Sequence, residues 1–303
     1  MRVLITGVTG FIGSALARRL QANGHEVVGL TRNVAKASRL LPMVEEFHAW
    51  DPAKEPSLAL LQTVDAVVNL AGESVAGRWT KGKKRRIYES RVLGTRNLVS
   101  AMRKAGQPRV LVSASAVGYY GNRGEEELLE RSGFGAGFLA DVCRDWEAEA
   151  FDALNAGVRV AVMRLGIVLG RGGGALKPLL PIFKLGLGGR LGKGDQWWPW
   201  VHIDDVTAAF MAAIQEPYQR AFNVVAPEPV RQRDFSRELG KALHRPAILP
   251  VPGFALRLIQ GEFADEVLFS KRVLPAQLES HDFEFKQPEL AGALAKVLRK
   301  EAD

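Results

Sequence analysis

The residues whose spacing most clearly suggests chemistry are three glycines near the start of the chain, Gly7, Gly10 and Gly13. They separate an apolar strand predicted over residues 3–5 from a helix predicted by apolar residues that recur at helical spacing up to Leu20. Gly7 permits a tight turn, Gly10 lets the backbone approach a pyrophosphate, and Gly13 lets the helix pack closely on the strand. A pyrophosphate would lie on the helix N-terminus, where free N–H groups and the helix dipole favour an anion. The predicted cofactor-binding loop also includes Thr6, Thr9, Phe11 and Ile12.

The chain after this loop completes the order of a dinucleotide-binding unit: strand, glycine turn, helix, strand. The second strand is predicted over residues 25–30, and Thr31 and Arg32 then stand where a ribose-reading residue falls. An acid there would bind the 2′-hydroxyl of NAD, whereas an arginine can pair with a 2′-phosphate. Arg32 therefore predicts NADP as the cofactor. The alternative is a solvated arginine at the end of a strand.

The elements that position these residues alternate between apolar β-branched runs and helical patterns. Further strands are predicted over residues 44–49, 65–72, 109–115 and 158–162, and helices over 83–103 and 138–154, with a loop over 122–136. The strand over 65–72, the fourth of the chain, opens at Ala71 and Gly72, where small residues would let the backbone pass close to a dinucleotide. This order predicts an α/β fold, a Rossmann-type doubly wound parallel sheet.

The composition changes at Arg171, where a glycine run is followed by prolines and more glycines. We therefore predict an NADP-binding Rossmann domain over 1–170 and a smaller α+β substrate lobe over 171–303, with 199–226 returning to the first domain. At residues 201–206 the sequence predicts a strand and then a helix that Asp204 or Asp205 caps. His202 is expected to pack in the strand rather than to catalyse a reaction.

Composition narrows the classes of function. The 303 residues are 47% apolar and 24% charged, enough for a large core, and Cys143 is the single cysteine, so no intramolecular disulfide is possible. The five histidines are too scattered to suggest a metal site. Strand residues begin at Arg2 and no apolar run is long enough to span a bilayer, so we expect a cytoplasmic protein without a membrane partner. The net charge of +8 is spread along the chain without a nucleic-acid-binding motif, so no nucleic-acid partner is expected either.

One dense basic cluster interrupts this even distribution, at residues 81–86 (Lys-Gly-Lys-Lys-Arg-Arg). It lies at the start of the predicted long helix, where the positive end of the helix dipole makes cations unfavourable. It could form the rim of a cleft that attracts a phosphate or carboxylate, or it could be a solvated helix face. The sequence leaves both interpretations open.

Several segments resemble the extended short-chain dehydrogenase/reductase superfamily. These are the spacing Thr-Gly-x-x-Gly-x-x-Gly of the first loop, the stretch 90–98 with Arg91 where that superfamily usually has asparagine, and Ser-Ala-Ser-Ala-Val-Gly-Tyr-Tyr-Gly over 113–121. Towards the C-terminus the sequence is more closely similar to the atypical reductases named sugar-nucleotide epimerase family proteins, whose reaction is not established. The segments that carry this are Arg-Gly-Gly-Gly-Ala-Leu, Lys-Leu-Gly-Leu-Gly-Gly and Trp-x-His-Ile-Asp-Asp.

The resemblance implies that the protein binds NADP. Besides the glycine loop, it places cofactor contacts on Thr31, Arg32, Leu70, Ala71, Arg91 and Val168. It also implies that Asp51 approaches the adenine, that Gly72 lies beside the cofactor, and that the protein forms a homodimer through helices flanking the sheet.

The same resemblance makes Ser115 the expected active-site hydroxyl, but the superfamily's Tyr-x-x-x-Lys dyad is missing. No tyrosine in the chain has lysine four residues later. On the helix after the fifth strand, the possible registers pair Leu139 with Cys143, Ala140 with Arg144, or Asp141 with Asp145, and none of them supplies the dyad. We predict that Tyr119 or Tyr120, assisted by Ser115, is the first choice of acid and that Asp141 is the second.

Two functions follow from these observations. The first is an NADP-dependent oxidoreductase or epimerase-like enzyme that acts on a small polar carbonyl or sugar-like substrate. The second is a non-catalytic NADP(H)-binding sensor or assembly protein, which needs only the cofactor contacts. Both predict bound nucleotide, and they differ in turnover.

Overall fold

A computed structural model describes residues 1–299 and contains the predicted Rossmann-type sheet. Seven parallel strands lie in the order β11-β7-β5-β4-β1-β2-β3. The strands are β1 (Arg2–Thr6), β2 (Glu26–Thr31), β3 (Glu46–Ala49), β4 (Ala66–Asn69), β5 (Val110–Ala116), β6 (Glu127–Leu128), β7 (Arg159–Leu165), β8 (Ile167–Leu169), β9 (Trp197–Trp198), β10 (Trp200–His202), β11 (Arg220–Val224), β12 (Val230–Arg231) and β13 (Arg272–Val273). The order reverses between β1 and β4, so a ligand crevice is expected at the carboxyl ends of these two strands.

Helices cover both faces of the sheet, which explains why its strands are apolar without alternation. The helices are α1 (Phe11–Ala22), α2 (Val34–Leu40), α3 (Leu58–Leu61), α4 (Lys81–Tyr88), α5 (Gly94–Ala105), α6 (Phe138–Phe151), α7 (Leu176–Lys184), α8 (Ile203–Gln215), α9 (Gln232–Ala242), α10 (Gly253–Gln260), α11 (Phe263–Leu268), α12 (Ala276–Ser280) and α13 (Leu290–Leu298). Along β1, Val3 and Ile5 pack into one core and Leu4 into the core on the opposite face. Because both faces are buried, the register of this strand is well defined.

The predicted long helix over 83–103 is present, but it is not uniform. It begins at Lys81, where the Thr80 side chain accepts a hydrogen bond from Lys83 N, and it contains a π-helical turn over Glu89–Leu93. Gly94, which follows this turn, lies against Pro52, whose Cβ is 3.1 Å from where a Gly94 Cβ would be. The wide turn rotates the residues around Arg91 relative to a regular helix.

The C-terminal part of the chain has its own apolar core, to which Leu176, Trp198, Phe235 and Leu294 contribute. The chain also returns to the large sheet, since β11 pairs with β7 at its edge. The predicted loop over 122–136 contains the short strand β6, which pairs with β13. The domain boundary at residue 170 stays a prediction.

The cap of α8 differs from the prediction. His202, not Asp204 or Asp205, caps the helix: its Nδ1 accepts a hydrogen bond from Asp204 N at 3.1 Å. Asp205 instead accepts from the backbone N–H groups of Lys286 and Gln287, at 2.7 and 3.1 Å. The Asp205 carboxylate therefore anchors the C-terminal segment, a contact between residues too distant in sequence to predict.

No helix within residues 1–299 is long and apolar enough to cross a membrane. The same residues contain no group of three or more His, Cys, Asp or Glu side chains that could hold a metal ion.

Candidate functional site

The glycine loop lies against the carboxyl end of β4 with no room for side chains at its turns. Gly7 has φ +65°, and a Cβ there would lie 2.8 Å from Leu70 O. A Cβ at Gly13 would lie 2.4 Å from Gly7 O. Gly10, the N-cap residue of α1, provides no side-chain hydrogen bond to the first turn. The first N–H groups of α1 are therefore free of a side-chain cap, as anion binding at this terminus requires.

A buried polar cluster holds the loop and β4 together. Thr6 Oγ1 accepts hydrogen bonds from Leu70 N and Ala71 N, both at 3.0 Å, and donates to Asn69 Oδ1 at 2.8 Å. Asn69 Nδ2 in turn donates to Thr95 Oγ1 at 2.8 Å. The Thr6 side chain is completely buried, so this hydroxyl positions the loop and does not face a cofactor. Thr9 and Ile12 are partly exposed on the loop itself.

Phe11 connects the glycine loop to the segment that follows β8. Its ring lies in a cradle of glycines: a Cβ would come within 2.6 Å of the ring at Gly170, 2.2 Å at Gly173 and 2.9 Å at Gly174. Val168 is buried, and its carbonyl accepts a hydrogen bond from Ala175 N at 3.3 Å. The Phe11 ring is thus used in packing, so a contact of this residue with a cofactor would come from its backbone.

The residues expected around the adenosine half of a cofactor lie at the ends of β2 and β3. Arg32 is exposed, and among residues 1–299 no carboxylate lies within 4.0 Å of it. Thr31 Oγ1 accepts a hydrogen bond from Asn33 N at 3.2 Å. Asp51 is exposed and accepts from Ala53 N at 3.0 Å, which fixes its loop. The Arg32 guanidinium therefore makes no close ion pair, although it is near enough to Glu73 to help lower the pKa of that carboxyl group.

Arg91 is a second cation with no carboxylate within 4.0 Å in the described part of the chain, although Glu73 acts on it electrostatically from farther away. Its Nη1 donates to Glu73 O at 2.9 Å and to Ile87 O at 3.4 Å, and its guanidinium lies 3.0 Å from where a Gly72 Cβ would be. Burial lowers the pKa of Arg91, although the residue is still partly exposed. Its position in a π-helical turn fits a functional side chain, since such turns are frequent at functional sites.

The basic cluster is largely neutralised by acids from elsewhere in the fold. Lys83 Nζ lies 2.9 Å from Glu73 Oε1, and this hydrogen bond holds the pKa of Glu73 below its usual value. Lys84 pairs with Glu262, and Arg86 lies 3.7 Å from Glu73. These pairs lie close to Gly72 and Arg91, since Glu73 O accepts a hydrogen bond from Arg91, and among residues 1–299 only Lys81 of the cluster has no carboxylate within 4.0 Å.

A buried network occupies the carboxyl ends of β5 and β7. Ser115 Oγ donates to Glu147 Oε1 at 2.6 Å, and Glu147 accepts two hydrogen bonds from Arg164, both at 2.8 Å. Arg164 Nη1 donates to the Tyr120 hydroxyl at 2.9 Å, and that hydroxyl donates to Asn223 Oδ1 at 2.7 Å. Burial raises the pKa of Tyr120 to about 12. Because both hydroxyls are buried and engaged inside the protein, the structure does not present Ser115 or Tyr120 to a substrate.

The structure shows which residues of α6 face the end of β5. A Cβ at Gly118 would lie 3.4 Å from Leu139 Cβ and 3.8 Å from Cys143 Sγ, so these two residues face the end of β5. Burial raises the pKa of the Cys143 thiol to about 12. Asp141 is exposed and pairs with Arg144 at 3.3 Å, so the structure does not bring it to Ser115. The second-choice acid is therefore misplaced for the predicted role.

Tyr119 is the predicted acid that remains accessible. The residue is partly exposed, and among residues 1–299 its hydroxyl makes no hydrogen bond. The Arg164 guanidinium lies 3.6 Å from the centre of its ring, which holds the ring in place.

Glu147 is the site residue that sequence reasoning missed. A signal existed, since it lies four residues after Cys143 and therefore on the same face of α6. A glutamate on the buried face of a helix requires a partner, here Arg164.

Comparisons with known proteins agree with this geometry. The sequence matches the NAD dependent epimerase/dehydratase family over residues 3–225, and a domain of unknown function, DUF1731, over residues 251–297. It is 41% identical to the chloroplastic epimerase family protein SDR39U1 homolog of Arabidopsis thaliana over 99% of this chain and 87% of the relative. It is 39% identical to the epimerase family protein Mb2239 of Mycobacterium bovis over 96% of each chain.

Several solved structures are similar to this chain along nearly its whole length. Human epimerase family protein SDR39U1 (isoform 2), solved with NADPH, has a TM-score of 0.86 and 33% identity over 98% of this chain and 99% of its own. A nucleoside-diphosphate sugar epimerase of Corynebacterium glutamicum has a TM-score of 0.79 and 37% identity over 98% of this chain and 58% of its own. The UDP-glucuronic acid 4-epimerase of Bacillus cereus shares the fold, with a TM-score of 0.80 at 18% identity.

Proposed function

Because this chain belongs to the NAD dependent epimerase/dehydratase family, we propose that it binds NADP(H) in the crevice between β1 and β4. The observation that carries the proposal is the glycine loop after β1, built for close backbone approach, with Arg32 after the neighbouring strand β2 and Arg91 beside Gly72 after the other neighbour, β4. Neither guanidinium has a carboxylate within 4.0 Å among residues 1–299. The glycine loop would hold the pyrophosphate and Arg32 the 2′-phosphate. The NADPH in the human relative's structure supports this assignment.

The cofactor preference can be tested by thermal unfolding with NADPH and NADH at equal concentrations. A charge-assisted hydrogen bond is worth about 1.5–3 kcal/mol, so NADPH should bind at least tenfold more tightly than NADH. Arg32→Asp should abolish the preference, whereas Arg39→Asp, at another exposed arginine, should keep it. Equal stabilisation by both nucleotides in the unmodified protein would contradict the proposal.

For the reaction, we propose an oxidoreductase or epimerase-like activity on a small polar carbonyl or sugar-like substrate. When bound, NADPH supplies a hydride, and the protein must supply a proton. Tyr119 is the proposed donor because its hydroxyl is accessible, while the Tyr120 hydroxyl is buried and engaged. None of the three possible registers on α6 supplies the tyrosine and lysine of the resemblance, and the pair that lies near Gly118 is Leu139 and Cys143, so we expect ordinary epimerisation of sugar nucleotides to be undetectable.

A non-catalytic NADP(H)-binding sensor or assembly protein is the second candidate. It is favoured by the internal hydrogen bond of Ser115 and by the apolar pair Leu139 and Cys143, which leave no proton relay beside the crevice. A homodimer is also proposed, from the family resemblance.

Turnover separates the two candidates. Oxidation of NADPH should be followed with a panel of small aldehydes, ketones and sugar nucleotides, using the purified protein, Tyr119→Phe, and Tyr218→Phe as the control. Loss of turnover in Tyr119→Phe alone supports the enzyme, and NADPH binding without turnover supports the sensor. Robust epimerisation of a common sugar nucleotide that survives both Tyr119→Phe and Tyr120→Phe would contradict both the residue assignment and the predicted lack of epimerase activity.

A further inference from the structure

The C-terminal part of the chain carries an apolar patch that its own fold leaves uncovered. Of the 14 large hydrophobic side chains exposed in residues 1–299, eight lie close together in sequence within two segments, and all five that are at least 71% exposed are among these eight. The apolar patch consists of Ile182, Leu185, Leu187, Ile248, Leu249, Phe254, Leu258 and Ile259.

Backbone contacts bring the two segments together. Leu249 N donates to Gly188 O at 3.1 Å, so the end of α7 and the stretch before α10 run alongside each other. Helix α10 follows directly, and Phe254 and Leu258 share one of its faces because they lie four residues apart. The two segments therefore lie on adjoining parts of the surface, and their exposed apolar side chains are not the scattered single residues that are normal for a soluble protein.

Positive charge borders the apolar patch. Lys184, Arg190 and Arg245 are exposed, and within the described residues no carboxylate lies within 4.0 Å of any of them. Arg245 Nε donates to Lys184 O at 3.0 Å, which places these two residues beside Leu185. The chain as a whole carries a net charge of +8. An occupant of this surface must therefore be apolar and anionic together.

These charges argue against a second copy of the chain, because a two-fold axis through the patch would bring the same cations face to face. The high exposure of these side chains favours a partner that can deform around them. Leu185 and Phe254 are each 74% exposed, so they protrude from the surface instead of lining a groove. An anionic lipid surface attracts cations and accepts protruding apolar side chains among its headgroups. We propose that the apolar patch docks this protein on an anionic phospholipid surface.

This proposal replaces the expectation of no membrane partner, which rested on the lack of an apolar run long enough to span a bilayer. A peripheral surface needs no such run, and this one is assembled from two segments separated by sixty residues of sequence. It does not depend on the proposed cofactor or reaction.

Co-sedimentation of the full chain with vesicles tests the proposal. Binding is expected to vesicles of phosphatidylcholine mixed with phosphatidylglycerol, to be absent with phosphatidylcholine alone, and to weaken as salt is added. The double variant Leu185→Ser and Leu258→Ser should lower the affinity by about tenfold or more, since each leucine contributes apolar area to the bilayer interface. Leu40→Ser and Leu154→Ser, at leucines that are 48% and 49% exposed elsewhere, should leave binding unchanged.

Four outcomes would overturn the proposal. These are no binding to either vesicle, equal losses in the patch and control variants, a dimer in analytical ultracentrifugation that the patch variant dissociates, and patch-dependent binding of polyglutamate without binding of vesicles. The melting temperature of each variant shows that it is folded, as expected for substitutions of exposed residues.

Discussion

Replacing Glu147 by alanine should destabilise this protein more than any surface charge change. Glu147 and Arg164 form a buried ion pair in which each side chain is 5% exposed. Without Glu147, the Arg164 guanidinium stays buried and, among residues 1–299, keeps only the Tyr120 hydroxyl and Glu130 O as acceptors, while Ser115 loses the acceptor of its Oγ–H. The variant therefore leaves an uncompensated charge and an unsatisfied donor in the core.

The size of the effect follows from this burial. Removing one partner of a buried pair costs about 3–5 kcal/mol, because the remaining charge cannot regain water. For a chain of this length each kcal/mol lowers the melting temperature by about 2 °C, so a fall of roughly 6–10 °C is expected. Replacing both residues with leucine removes both charges, so the double variant should lose much less than the sum of the two single variants.

The assay is equilibrium urea unfolding of Glu147→Ala, Glu147→Leu, Arg164→Leu and the double leucine variant, followed by circular dichroism. Asp152→Ala is the control, because its pair with Arg103 is 44% and 46% exposed and should contribute about 1 kcal/mol or less. If the single-variant losses were additive within about 0.5 kcal/mol, the two residues would not be coupled and the reasoning would be refuted.

Three further predictions concern other parts of the molecule. The double variant Lys83→Ala and Lys84→Ala should bind NADPH more weakly and with a smaller salt dependence if the basic cluster borders the cofactor crevice; unchanged affinity and salt dependence would exclude that role. Burial lowers the pKa of His202 from its ordinary value of 6.5, so this capping side chain stays neutral in the folded protein. The stabilisation that the cap gives to the fold is therefore present above pH 6.5 and is lost as the pH falls through the pKa that His202 has in the folded state. His202→Asn keeps a capping acceptor that does not titrate, so the free energy of unfolding should fall less steeply below pH 6.5 than in the unmodified protein. Urea unfolding at several pH values measures this dependence, and an unchanged dependence on pH would contradict the prediction. Because burial raises the pKa of Cys143 to about 12, the native protein should not react with a thiol reagent at pH 8, whereas the unfolded protein should react with one equivalent; fast native labelling would show that the thiol is accessible.

The sequence by itself determined the features that depend on neighbouring residues. A β-branched strand, a glycine turn and a helix follow one another within the first 22 residues, so their local pattern predicts the Rossmann unit that the structure contains. The type of residue at position 32 and the missing Tyr-x-x-x-Lys pattern are also properties of the sequence alone. The helix over 83–103 could be predicted, but its π-helical turn could not, because such a turn depends on packing.

Only the tertiary structure decided which of the predicted side chains reach the crevice. Ser115, Glu147 and Arg164 come from β5, α6 and β7, and their hydrogen bonds join residues up to 32 positions apart in sequence. The Phe11 ring is enclosed by glycines more than 150 residues away, and Asp205 anchors a segment 81 residues later instead of capping its own helix. Local patterns carry no information on such contacts, because each depends on how distant elements pack once the apolar surfaces are buried.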